Sequence, residues 1–502
     1  MTDLFGGFPE PTPLSDTEVQ FLDTTLRDGE QAPGVSLSPD QKVEIARTLD
    51  HAGVSTIEAG SACTGAGERE AISRVTKESL DARVSSFCRG IQNDIDLAID
   101  CDVDGVNLVV PASERHIEQK VGTTRGGVIE TTVELTEYAR EHGLWVEVLG
   151  EDGSRADTEF LTELMGRAFE AGADRVCYCD TVGYATPEHT RRVVSALAGL
   201  GPTSTHVHDD LGMAVTNALV SIGAGADLVH ATVNGIGERA GNVAIEEVAI
   251  ALAEGYNVST VDTTVLYDLA RTVANTTEIP LAPNKAVAGE NAFTHESGIH
   301  TDGQLKDDAM YEPYPPENVG RERRLALGKH AGRAGVEAAL AEHDVTVSAD
   351  ELAEVTERVT DLGDSGKRVT DADVLALAET VQGRERKRRV ELEALTAASG
   401  NGTPAASVRL RVDDEERVAS GTGSGPVDAA VSAVKSALGP AADAHLDSYH
   451  VDAITGGTDA VVTVEIEMTR DGQSVSVAQS NTDITRASVE AMVEAFDRLL
   501  AA

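Results

Sequence analysis

A short apolar, β-rich run, a polar loop, an amphipathic stretch and a Gly or Asp stop recur eight times between residues 19 and 233. No other feature limits the fold as tightly. The runs are 19–23 (VQFLD), 54–59 (VSTIEA), 83–88 (RVSSFC), 105–110 (GVNLVV), 144–149 (LWVEVL), 174–180 (DRVCYCD), 203–208 (TSTHVH) and 227–233 (DLVHATV). Short apolar runs bounded by turn residues predict strands, and the stretches between them have the period of helices. Pro39 to His51, with Pro in the first turn and Gly53 closing it, and Asp157 to Ala171, closed by Gly172, carry helix start and stop signals. Crossovers between parallel strands are right-handed, so eight alternations close into a barrel more naturally than they open into a sheet. An open doubly wound sheet would show a Gly-rich phosphate turn after its first strand, and here Thr25-Leu-Arg-Asp-Gly29 follows instead. The expected fold is α/β: a (β/α)8 barrel, a helical linker region and a small α+β C-terminal domain.

The barrel is expected over 19–275, after an N-terminal extension of 1–18. The strand rhythm stops after Glu254, and residues 260–396 read as helices and loops, including the Pro-rich Tyr311-Glu-Pro-Tyr-Pro-Pro316. The helical region is drawn as 276–398, with Ser399-Gly-Asn-Gly-Thr-Pro404 as a linker opening the last domain, 399–502. That domain shows a strand (406–412), a Gly-rich turn, a helix (426–438), strands at 449–454, 460–467 and 475–479, and a helix at 487–500.

Composition excludes several classes. With 41 basic and 85 acidic residues the chain carries a net charge of −44, spread along its length, which repels nucleic acid and anionic membranes. Nine Lys against 32 Arg, with so many acids, is the composition expected of a protein kept soluble in high salt, where self-repulsion is screened. The five Cys (63, 88, 101, 177, 179) form no C-x-x-C pair and read as reduced core residues of a cytoplasmic protein. Cys177 and Cys179, two apart on a strand, share one face. The N-terminus lacks the basic and apolar regions of a signal peptide, and no apolar run has membrane-spanning length.

In such a barrel, catalytic groups gather at the carboxyl ends of the strands. Those ends carry Arg27, Asp28 and Glu30; Glu58; His116; Glu151 and Asp152; Asp180 and Thr181; His206, His208, Asp209 and Asp210; and Glu238, Arg239 and Asn242. His206 and His208 point to one side of their strand, and Asp28 from across the barrel completes a two-His, one-carboxylate face with open positions. Mixed N and O ligation suits Mn, Zn, Co or Mg rather than a structural zinc. Asp209 and Asp210 would orient the imidazoles or cap the next helix. The loop Gly235-Ile-Gly-Glu-Arg-Ala-Gly241 does not fit a phosphate cradle in register and reads as bringing Glu238, Arg239 and Asn242 to the metal.

Four motifs, in order, resemble the 2-isopropylmalate, citramalate and homocitrate synthase family: Asp23-Thr-Thr-Leu-Arg-Asp-Gly-Glu-Gln31, Ser204-Thr-His-Val-His-Asp-Asp-Leu-Gly212, Asn234-Gly-Ile-Gly-Glu-Arg-Ala-Gly-Asn242 and His295-Glu-Ser-Gly-Ile-His300. The tail resembles that family's effector-binding and dimerisation domain at Gly425-Pro-Val-Asp-Ala429 and Gly456-Gly-Thr-Asp-Ala460. The resemblance implies a Claisen-type condensation in which acetyl-CoA adds through its methyl carbon to a 2-oxo acid and the thioester is hydrolysed. It implies Asp28, His206 and His208 as metal ligands, with Asn242 as a fourth or water-bridged contact. Arg27 would act at the ketone or forming oxyanion, and Thr181 would contact the substrate carboxylate. His116, in Ser113-Glu-Arg-His116, matches the family's Ser-Asp-x-His loosely. Glu151, His300 and Tyr311 are the candidate bases, the last two from the post-barrel segment, which a partner chain can supply. A homodimer and an amino-acid effector, isoleucine or leucine, are implied as well.

The 2-oxo acid is set by the residues lining the mouth. An acidic tail would need a spare cation, and none is evident beyond Arg27, Arg89, Arg155 and Arg239. Leu149 stands where the isopropylmalate enzymes carry a smaller residue, so it would shorten the pocket in favour of pyruvate. Pro33-Gly-Val-Ser-Leu and Glu58-Ala-Gly-Ser-Ala resemble archaeal citramalate synthases more than bacterial isopropylmalate synthases. The expectation is condensation with pyruvate in isoleucine biosynthesis, the alternative acceptor being 2-oxoisovalerate in leucine biosynthesis. Two other classes compete: a metal-dependent acyl-CoA lyase, which would not need the tail and whose Gly-Cys-Pro loop is absent from the sequence, and a non-catalytic amino-acid sensor.

Overall fold

The computed structural model of the chain describes residues 14, 18–297, 300, 303–304, 306–364, 369–383, 388–453 and 461–501. Most of the N-terminal extension and the Gly456–Ala460 motif lie outside the described residues. The chain divides into two compact units, residues 1–293 with 313–322 and residues 294–312 with 323–502.

In the first unit eight parallel strands close in sequence order: β1 (Gln20–Asp23), β2 (Thr56–Glu58), β3 (Arg83–Arg89), β4 (Gly105–Pro111), β5 (Trp145–Glu151), β6 (Arg175–Asp180), β7 (Thr203–Val207) and β8 (Leu228–Ala231). The seam is the β1–β8 ladder, from Gln20 opposite Leu228 to Asp23 opposite Ala231. Helices α1 (Pro39–Ala52), α2 (Ala66–Val75), α3 (Gln92–Ile99), α4 (Arg125–Glu141), α5 (Thr158–Glu170), α6 (Pro187–Ala198), α7 (Ala214–Gly223) and α8 (Ile245–Ile250) follow the strands, and α9 (Leu266–Thr277) comes after them. Their ends obey the sequence signals. Ser38 and Gln41 form a reciprocal capping box on α1, Gly53 ends it in the left-handed region at φ 88°, and Asp157 accepts from the Glu159 and Phe160 amides at the start of α5.

The outward strand faces hold the apolar residues that composition demands. Phe21, Ile57, Val84, Val146 and Val176 are buried in one cluster with helix residues such as Leu49 and Leu161, each contributing roughly 2 kcal/mol by leaving water. The inward face differs from the usual layers of branched aliphatics. It carries Thr24, Glu58, Ser85, Asn107, Glu147, Ser204 and His230, all buried. Within it Leu149, Cys177 and Cys179, with Val109, make a small apolar island. The two thiols are free, share a face as their spacing requires, and stand 3.9 Å apart.

Among its described residues the second unit holds helices α10 (Arg333–Glu342), α11 (Ala349–Asp364) and α12 (Asp371–Val381) around a core including Val336, Leu340, Val355 and Val359. It also holds two three-stranded antiparallel sheets, 390–398/405–412/415–422 and 445–453/462–470/473–481, with helices α13 (Pro426–Leu438) and α14 (Ile484–Ala501). Two expectations are corrected here. Residues 390–398, expected in the helical region, form a strand paired with 405–412, so Ser399–Pro404 is the turn of a hairpin rather than a linker between domains. Residues 415–422, absent from the expected elements, form the third strand of that sheet. Both missed strands expose most of their side chains, so burial does not impose a period-two apolar signal on them. No helix among the described residues is long and apolar enough to cross a membrane.

Candidate metal centre

The segment after β1 is a tight turn rather than a continuation of the strand. The Thr24 carbonyl accepts from the amides of Arg27 (3.1 Å), Asp28 (2.8 Å) and Gly29 (3.1 Å). Neighbours on a strand point to opposite faces, but this turn aims Arg27 and Asp28 at the same place, with Arg27 Nη1 2.5 Å from Asp28 Oδ2. Arg27 is fixed from below as well: its Nε is 2.5 Å from Glu58 Oε2, and its guanidinium lies 4.5 Å from the centre of the Phe87 ring. Glu58 also accepts from Thr24 Oγ1 (2.6 Å) and Asn107 Nδ2 (2.6 Å), so three strands brace one arginine.

Asp28, His206 and His208 are buried, and each brings one ligand atom to within 4.8 Å of the other two. His206 Nε2 stands 3.7 Å from Asp28 Oδ2. The Asp28 Oδ1 atom accepts from Asn242 Nδ2 (2.8 Å) and from the Glu238 amide (3.4 Å). Asn242 is held beside His208 by an antiparallel bridge. The turn that delivers it depends on glycine: a Cβ on Gly241, at φ 89°, would lie 1.9 Å from the Gly235 carbonyl oxygen, and one on Gly237 would lie 2.3 Å from Asn242 Nδ2.

Electrostatics match a cation site. Burial disfavours the Asp28 carboxylate, but the adjacent Arg27 guanidinium, aided by the Asn242 hydrogen bond, outweighs it and holds the carboxyl well below the usual range. Burial pushes both imidazoles down, towards the neutral form that can donate a lone pair. Their Nδ1 atoms are buried without a hydrogen-bond partner. One anionic oxygen and two neutral nitrogens, dry and convergent, fit a divalent ion.

A second group occupies the ends of β4 and β5. His116, in a single π-turn over His116–Val121, puts Nδ1 3.1 Å from Glu151 Oε2, and Lys120 Nζ stands 2.5 Å from Glu151 Oε1. Asp152, with φ 63°, accepts from the Ser113 hydroxyl and from Arg155 Nε (2.7 Å). Its amide donates to Thr181 Oγ1 (2.8 Å). Leu149 is buried in the apolar island below.

Other strand-end residues are turned elsewhere. Glu30 pairs with the buried Lys42 at 2.7 Å. Arg239 does not reach the carboxylate–imidazole cluster: it binds Asp210 through Nε and Nη2 and the Thr181 carbonyl through Nη2. The Glu238 side chain is exposed, and only its amide joins Asp28. Asp209 accepts from the Ala214 amide at the start of α7, the capping role, while Asp210 is engaged by Arg239. Asp180 likewise accepts from the Tyr184 and Ala185 amides. His300 and Tyr311 belong to the second unit, where their rings pack with centroids 4.3 Å apart.

Sequence reasoning missed Lys120 and the buried pair Glu147 and His230, joined at 3.1 Å. The available signal for that pair was an ionisable residue at an inward position of an apolar run.

Residues 18–273 match the HMGL-like family model, 287–367 the homocitrate synthase post-HMGL domain-like model, and 368–500 the LeuA allosteric (dimerisation) domain model. A putative (R)-citramalate synthase CimA of Methanothermobacter thermautotrophicus is 51% identical over 487 residues, covering 96% of this chain and 98% of that protein. A putative (R)-citramalate synthase CimA of Methanoculleus marisnigri is 48% identical, covering 96% of each chain. The (R)-citramalate synthase CimA of Methanocaldococcus jannaschii is 46% identical, covering 96% of this chain and 99% of that one. The buried carboxylate–imidazole set, the barrel that carries it and the matches to barrel, linker and tail agree: the chain belongs to the HMGL-like family, as a homologue of the archaeal (R)-citramalate synthases.

Proposed function

We propose that the chain condenses acetyl-CoA with pyruvate and hydrolyses the thioester, giving (R)-citramalate and free CoA, as a cytoplasmic step towards isoleucine. Identity of 51% to a putative (R)-citramalate synthase over 96% of the chain carries this reading. A divalent ion such as Mn, Zn, Co or Mg, held by Asp28, His206, His208 and Asn242, would polarise the ketone chelated through its oxygen and carboxylate.

The protein's own groups divide the remaining work. Arg27, locked by Glu58, presents a fixed charge to the oxygen that becomes an alkoxide as the acetyl methyl carbon bonds to the ketone carbon. Thr181 accepts the Asp152 amide, leaving its own hydroxyl proton to donate to the substrate carboxylate. A base must take the methyl proton, and Glu151, His300 and Tyr311 are the candidates. Glu151 is favoured by being partly exposed at a strand end beside His116. His116 and Leu149 border the acceptor, Leu149 and its sulfur neighbours walling off a longer side chain. The tail would bind isoleucine or leucine and pair two chains.

The deciding assay incubates the protein with acetyl-CoA, Mn and each 2-oxo acid and measures free thiol. Release with pyruvate alone is expected. Release only with 2-oxoisovalerate would overturn the acceptor, and release with none would overturn the activity.

A further inference from the structure

Directly beside His206, on the inner wall of the barrel, lies an ionisable pair that the proposed chemistry does not use. His230 and Glu147 are buried, their side chains fully excluded from solvent, with His230 Nε2 3.1 Å from Glu147 Oε2. Ser204 donates its hydroxyl to the other carboxylate oxygen. The register pairs Thr205 with Val229, which makes His206 and His230 lateral neighbours on β7 and β8. Their rings meet edge to face, with centroids 5.5 Å apart and planes at 90°. On the other side His208 meets the His206 ring at 5.2 Å and 70°.

His206 Nδ1 makes no hydrogen bond, so the rotation of this imidazole about its Cβ–Cγ bond is not set by the usual partner of a ligating histidine. Ring contacts are what remains. We infer that His230, itself held by Glu147, which Ser204 fixes in turn, is a positioning residue that sets the ring plane of His206 for the ion. This rests on reading Asp28, His206 and His208 as the ion-holding set. A rival use of the same atoms exists, because Glu147, Cys177 and His230 also bring ligand atoms within 4.8 Å of one another. Positioning is favoured because both Glu147 oxygens are already engaged, one by Ser204 and one by His230.

The test measures Mn²⁺ binding to the whole chain by titration calorimetry and by metal analysis after dialysis. The parent is expected to hold one ion. His230→Gln keeps an N–H donor for Glu147 but removes the ring, and its Mn²⁺ affinity should fall by about 10- to 100-fold with a melting temperature close to the parent's when both are metal-free. Its Co²⁺-loaded form should show a shifted visible absorption band. Glu147→Gln, a milder change that keeps the size of the side chain, should weaken binding less and serves if His230→Gln does not fold. Unchanged affinity and an unchanged Co²⁺ spectrum in a folded variant overturn the inference. So does a parent holding two ions, one of them lost in His230→Gln. A parent that takes up no ion overturns the metal-centre reading beneath it, so the two failures are distinguishable.

Discussion

The two halves of the barrel mouth are built on opposite terms. On the β1–β7–β8 side Asp28, His206, His208 and Asn242 are buried, cross-braced through Arg27 and Glu58, and held by glycine-dependent backbone turns. On the β4–β5 side Glu151 and His116 are partly exposed, and Glu151 is clasped by a lysine whose side chain is more than half accessible. A dry, fixed arrangement suits holding charge in place, because desolvated groups interact strongly and need no reorganisation. A wet, adjustable one suits taking a proton from a large, flexible substrate.

Removing a member of the fixed half should have the largest effect. Asp28→Ala or His208→Ala is expected to lower turnover by about three orders of magnitude or more, the size of several kcal/mol of lost charge stabilisation. Both should retain the parent's circular dichroism, and metal analysis should show loss of the ion. Activity that survives complete metal removal would break the comparison. On the other half, Glu151→Gln should reduce kcat by about 10²- to 10⁴-fold with metal content unchanged. Unaltered kcat would move the base to His300 or Tyr311. Lys120→Ala should cost less than about fivefold in kcat/KM, since exposed ion pairs contribute at most about 1 kcal/mol. A hundredfold loss would show that half to be as rigidly coupled as the other.

The smallest effect is one of stability. Burial disfavours a charged His230, but Glu147 outweighs it and raises the imidazole pKa from 6.5 to about 10. The stabilisation is therefore fully present below pH 6.5 and lost as pH rises through about 10. Burial raises the Glu147 pKa, but His230 outweighs it and holds the carboxyl below its ordinary 4.5, so its share is present above 4.5 and lost on acidification. The melting-temperature gap between parent and Glu147→Gln should accordingly be widest near pH 6 and narrow towards pH 10. A gap independent of pH would contradict the charged pair.

The barrel was legible because its strands are buried on the helix side and its helices carry stop signals, as at Gly53 and Gly172. The exposed strands 390–398 and 415–422 gave no such pattern. Within the mouth, His206 and His208 could be read from their spacing on a strand. The shared aim of Arg27 and Asp28 could not, because it arises from the amides of Arg27, Asp28 and Gly29 converging on the Thr24 carbonyl, a turn that no residue pattern before Gly29 announces. Glu147 and His230 escaped because two isolated polar residues in apolar runs 83 positions apart announce their pairing only when the barrel closes.

The bond from Asn242 to Asp28 joins residues 214 positions apart, and it lies where the first strand meets the last. An ion held by Asp28, which follows the first strand, and by His206, His208 and Asn242 near the last would act as a clasp on a cylinder, across the seam by which the sheet closes. Since a ligand stabilises the state that binds it, metal should protect the amides of Gln20–Asp23 from hydrogen exchange more than those of β3 or β4. Opening along that line would release ion and substrate site together, so barrel closure and metal loading would then be linked.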